Sequence, residues 1–140
     1  MGESEDELTR SVIGLAMRIH SQLGPGLFES VYETILAGKL LEAGHMVERQ
    51  KAVDICFEGT RFANAFKIDL LIARRLVIEI KSVEQASTLH ARQLLTYLRL
   101  SNLPTGLVIN FNVLTLKDGI KRVVNNYAPV DLSASSANSA

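Results

Sequence analysis

The chain has a single cysteine, Cys56, in 140 residues. That excludes an internal disulfide and any zinc or iron–sulfur site built on several thiolates. It leaves Cys56 the role of a small buried apolar residue. Tryptophan is absent, and aromatic residues make up only 6% of the chain. No apolar run approaches the ~20 residues that a membrane-crossing helix needs. Net charge is lacking too, with 15 Lys and Arg against 15 Asp and Glu, which disfavours a bulk electrostatic binder of nucleic acid. The N-terminal MGESEDELTR is acidic and polar, unlike a signal or transit peptide. A reducing, cytoplasmic location is the expectation. Hydrophobic residues reach 47%, enough to build the core of one domain without disulfides or a structural metal. The charge is unevenly spread: residues 1–60 carry 5 Lys+Arg and 10 Asp+Glu, and residues 61–140 carry 10 and 5. The basic half offers a surface for phosphates; random asymmetry over a solvated surface is the plainer alternative.

Leu8, Val12, Leu15, Ala16, Ile19 and Leu23 recur at helical spacing and predict a helix from about Glu5 to Gln22. Gly24-Pro25-Gly26 breaks it. A second helix spans about Glu29 to Ala43, with Val31, Tyr32, Ile35, Leu36 and Leu40 inward and Gly44 as its C-terminal cap. The period then changes. Val47–Phe57, Arg61–Ile72 and Leu76–Ser82 read as antiparallel strands joined at Glu58-Gly59 and Arg74-Arg75. Ser87 or Thr88 caps a third helix that ends near Leu100, with Leu89, Leu94, Leu95 and Leu98 facing the core. Thr105–Phe111 is a buried strand, reached by a parallel crossover. Asp118-Gly119 carries a hairpin-like turn signal between Leu114–Leu116 and Ile120–Val124. The order α-α-β-β-β-α-β, with room for one more C-terminal strand, predicts an α/β fold with a mixed sheet flanked by helices. The domain should cover residues 1–132, and the small polar tail 133–140 should be disordered.

Charge inside apolar strands is the informative feature. Asp69 sits in KIDLLI, and Glu79 and Lys81 sit in VIEIK. Residues two apart on a strand share a face, so Glu79 and Lys81 point the same way. Buried charges need partners or a metal. Two carboxylates on adjacent strands repel, and a divalent cation relieves that repulsion. Hard oxygen ligands suit magnesium or manganese. A nearby lysine then orients a water or balances phosphoryl charge. The alternative is a structural ion pair, Glu79–Lys81 or Asp69–Lys67, at a sheet end. His20, His45 and His90 lack ligand spacing, and no Ser–His–Asp arrangement can be assembled.

Asp69, nine intervening residues and then Glu79-Ile80-Lys81 resemble the PD-(D/E)xK nuclease signature. Glu29, on a helix before the first strand, resembles the extra acidic ligand of many such nucleases. Gln93 and Tyr97, one helical turn apart after the lysine strand, are similar to the Q-x-x-x-Y element of the RecB-type branch. More narrowly, Gly26-Leu-Phe-Glu29-Ser-Val-Tyr32 resembles the signature of the bacterial GxxExxY proteins. Val47–Gln50, Asp69–Leu71, Gln93–Leu98 and Ile109–Asn125 agree with that family. Ile68 stands where the eponymous proline would, and Phe66 where RecB-type members often have glycine.

The resemblance implies a metal-dependent nuclease acting on DNA or RNA. Asp69, Glu79 and the Ile80 carbonyl would bind Mg2+ or Mn2+, and Glu29 a ligand water or second ion. Lys81 would position the attacking water. Gln93 and Tyr97 would contact the phosphate or hold the carboxylates. His90 would line the same cleft, and Tyr32 is either a site residue or a core aromatic. The alternative is a catalytically silent module that binds nucleic acid or a protein partner; an enzyme acting on a small phosphorylated substrate is more remote. A homodimer is one way for so small a domain to engage a duplex.

Overall fold

The computed structural model describes residues 3–129; the expected polar tail lies outside them. Helices α1 (Glu5–Leu23) and α2 (Glu29–Glu42) precede strands β1 (Val47–Phe57), β2 (Thr60–Ile72) and β3 (Leu76–Lys81). Helix α3 (Thr88–Ser101), β4 (Thr105–Asn110), a 3-10 turn (Leu116–Gly119) and β5 (Ile120–Val124) follow. The strands form one sheet in the order β1-β2-β3-β4-β5. Only β3 and β4 run parallel, joined through α3. The mixed α/β architecture expected from the sequence is what the chain adopts, with β5 as its additional strand.

Two cores flank the sheet. Leu8, Val12 and Ile19 of α1 and Tyr32, Leu36 and Leu40 of α2 pack on Leu70, Ile72, Ile78 and Ile80. Leu94 and Leu98 of α3 pack on Ile68, Leu71, Val77 and Val108 on the other side. β3 is therefore covered on both faces, which explains its continuous apolar run.

The helix ends follow from local chemistry. Ser4 and Glu7 form a capping box on α1. After α2, Gly44 at φ +92° lets its own N–H bond Leu41 O and the His45 N–H bond Leu40 O, a Schellman closure. Ser87 caps α3 through the Leu89 N–H, and Asn102 in the left-handed region ends it.

Three expectations require correction. Leu114–Leu116 is not a strand: Leu114 is exposed, Leu116 drops into the α1/α2 core, and β5 pairs with β4. Gly119 serves close packing, because an added Cβ there would land on the Asn110 carbonyl oxygen. Leu89 and Val31 are exposed; helix rotation favours Leu94 and Leu98 on α3, and Tyr32 and Leu36 on α2, for burial.

Candidate active site

The β2–β3 ladder runs from Ile72–Leu76 to Leu70–Ile78 and stops there. Beyond it the strands part, and carboxylates replace the ladder bonds. Glu79 Oε2 accepts from the Asp69 N–H at 3.0 Å, and Asp69 Oδ2 accepts from the Ile80 N–H at 2.9 Å. The two acids are thus clipped to each other's strands.

The backbone is irregular at the same level. Gln50, across from Asp69 on β1, has φ +48°, and the pairing skips from Arg49–Leu70 to Lys51–Ile68. Strand alternation breaks here: Leu70 and Ile72 face α1 and α2, whereas Phe66 and Ile68 face α3. The irregularity sets Asp69 in the gap between strands rather than on either apolar face.

Glu79 is only 5% exposed. Burial, then the charge of Asp69 and that of Glu33, push its pKa up to about 8, against the lowering pull of the Asp69 N–H and of Lys81. Tyr97 also titrates above its ordinary range, through burial and the charges of Glu79 and Asp69. Its ring stacks on Phe66 at 4.2 Å, so α3 reaches the carboxylates from above.

Glu33 is the residue that sequence reasoning missed. It is buried on α2, and its carboxylate takes Gln50 Nε2 at 2.7 Å and Arg49 at 3.1 Å. Gln50 Nε2 also lies 3.2 Å from Asp69 Oδ1, so it bridges Glu33 to Asp69. A signal was available: Glu33 shares the helical face of Leu36, Ala37 and Leu40, where an unpartnered charge has no place.

Glu29 stands apart. It is exposed, and its carboxylate accepts the Ser82 N–H at 3.1 Å, just past Lys81. An open cleft of about 850 Å³ lies there between Gly26–Ser30 and Ser82, Glu84 and Asn112. Tyr32 is a core residue. It stacks on Phe111 at 4.3 Å, donates its hydroxyl proton to Gly24 O and accepts the Leu27 N–H. Gln93 lies exposed on α3, one turn before Tyr97. His90 lines a different, apolar cavity of about 600 Å³ between α3 and the β4–β5 edge, away from the carboxylates. No ion pair joins Lys81 to Glu79 or Lys67 to Asp69 among the described residues.

A family model described as the PD-(D/E)XK nuclease superfamily matches residues 6–123. The chain belongs to the PD-(D/E)XK nuclease superfamily. No curated protein matches the sequence. A crystal structure of SSO0001 superposes with a TM-score of 0.45 at 17% identity, covering 94% of this chain and 83% of that one.

PD-(D/E)XK nucleases usually use divalent metals, and the donor set here is compatible with one. Two hard carboxylates lie side by side, Glu79 buried and Asp69 half-buried, and a bound cation relieves both the burial and the repulsion that raise Glu79. Among the described residues no three His, Cys, Asp or Glu side chains converge to hold an ion. The pair Asp69–Glu79 would therefore need backbone or water oxygens to complete a shell.

Proposed function

We propose that this PD-(D/E)XK protein is a divalent-metal-dependent nuclease of the GxxExxY type, cutting phosphodiester bonds of DNA, with RNA as the other candidate polymer. One observation carries the reading. Asp69 and Glu79 are held together where two strands part, with Glu79 pushed up to about 8 by its surroundings.

Asp69, Glu79 and the Ile80 carbonyl would hold Mg2+ or Mn2+. A bound ion supplies Lewis acidity, lowering the pKa of a coordinated water and screening charge on the phosphoryl oxygens. The protein's own residues do the rest. Lys81, two residues beyond Glu79 on the same strand face, positions the attacking water. Glu33 fixes Asp69 through Gln50. Glu29, with one oxygen on the Ser82 N–H, holds the segment after Lys81 and is the donor for a ligand water or a second ion. Tyr97 and Gln93 approach the phosphate from α3.

Incubation of the pure protein with single- and double-stranded DNA and RNA, in magnesium, manganese or EDTA, tests this. Cleavage that requires metal and disappears in Lys81→Ala supports it. Tight binding without cleavage in any metal leaves a silent nucleic-acid module instead.

A further inference from the structure

β1 and β2 outlast the rest of the sheet. β3 pairs with β2 only at Leu70–Ile72. The rungs from Lys51–Ile68 to Phe57–Thr60 continue with no third strand among the described residues. This two-stranded arm runs about 25 Å past the carboxylates, at ~3.3 Å per residue.

One face of the arm is aromatic. Opposed residues in an antiparallel pair share a face, as do residues two apart along a strand. Val53 opposes Phe66, and Ile55 opposes Phe62. Val53, Ile55 and Phe57 alternate along β1, so Phe57, Phe62 and Phe66 share one face of the ribbon. Phe66 anchors this row by stacking on Tyr97, whose hydroxyl feels Glu79 and Asp69. Phe57 and Phe62, further out, are 61% and 47% exposed. Large exposed aromatics in a row call for an occupant.

Charge on the arm is nearly balanced, with Lys51, Arg61 and Lys67 against Asp54 and Glu58, so its exposed aromatic rings and not its charge offer the contact. Lys51 stands on the aromatic face, loosely paired with Glu48 at 3.8 Å, and Lys67, opposite Ala52, is exposed on the other face. Asp54, on the opposite face, is already taken by Arg61 and the Asn64 N–H. We infer that the arm is a stacking platform for single-stranded nucleic acid. Successive bases lie on Phe62 and Phe57 while the strand passes Tyr97 to the carboxylates. The inference rests on the nuclease reading for the direction of the track, and it names the substrate class as single-stranded.

Fluorescence anisotropy with labelled single-stranded and duplex oligonucleotides, in EDTA, reads binding without hydrolysis. Phe57→Ala and Phe62→Ala should each weaken single-strand affinity about tenfold and leave duplex affinity unchanged. Phe62→Tyr should retain the affinity, and circular dichroism should show all variants folded. Because the chain has no tryptophan, Phe62→Trp provides a lone indole that a single strand should quench. A double alanine variant that binds as the wild type does would overturn the inference, as would an unquenched indole. Lost binding that tracks a dimer-to-monomer shift in light scattering would also overturn it, assigning the arm to a second copy of the chain. Cleavage assays on the same variants separate the two readings. Arm-dependent binding without any cleavage leaves the platform standing and removes the nuclease. Cleavage with unchanged affinity in the arm variants does the reverse.

Discussion

Glu79 carries the most testable chemistry at the scale of single residues. Its folded pKa, about 8, lies above the ordinary 4.5. The folded state thus holds a proton that the unfolded chain releases, and stability without metal should fall as pH rises from about 4.5 through 8. Thermal melts in EDTA should show the Tm dropping across that window. Glu79→Gln should flatten the profile and stabilise the fold at pH 8 by on the order of a few kcal/mol, while abolishing metal-dependent cleavage. A Tm that does not change with pH in the wild type would refute the burial argument. Lys81→Ala and Asp69→Asn should each reduce cleavage by more than about a hundredfold, with far-ultraviolet dichroism unchanged. Glu33 shows where the sequence was legible only in hindsight. Its charge on a buried helical face was visible, but its partner Gln50 depends on a positive φ that no pattern announces.

At the scale of elements, the β2–β3 turn is strained. Ala73 and Arg74 both have positive φ, 52° and 57°, and the Arg75 N–H closes on Ile72 O. These are the dihedral signs of a primed type I turn, which favours Asn-Gly. Replacing Ala73-Arg74 by Asn-Gly should stabilise the protein by about 1 kcal/mol, seen as a Tm rise of several degrees; an unchanged Tm would show that the turn is not strained. Gly119→Ala should act oppositely. The new methyl group meets backbone at Asn110 O, so the cost should be about 1–3 kcal/mol or more. Urea titration would read it, and an unshifted midpoint would contradict the packing. Most element boundaries were legible to within a residue or two, because caps and turns are written in local chemistry: Ser87, Gly44, Glu58-Gly59. The Asp118-Gly119 signal pointed to a hairpin, yet that glycine answers to a neighbour nine residues back, beyond the reach of a turn rule.

Across the whole molecule, α1 and α2 seal one face of the sheet and α3 the other. That helices flank the sheet could be read from periodicity; which face each helix takes could not. The break in alternation at Asp69 could not, since burial decides it and register is invisible in a single strand. The net charge of zero also bears on binding: affinity should come from a few local cations and fall by roughly 0.7 log units per phosphate contacted on a single strand for each tenfold rise in salt. A salt titration with no slope would place binding outside the basic residues. The long β1–β2 arm has one more consequence, which concerns solubility. Beyond Ile68 both of its edges expose unpaired backbone next to Val53, Ile55 and Phe57, a template on which another chain can add a strand. The arm is guarded by a bulge between Val53 and Ile55, by the Asn64 kink at φ +52°, and by Lys51 and Lys67. Exchanging those two lysines for threonine should leave the Tm nearly unchanged and yet hasten turbidity on gentle heating, because the guard acts against a neighbouring molecule and not within the fold.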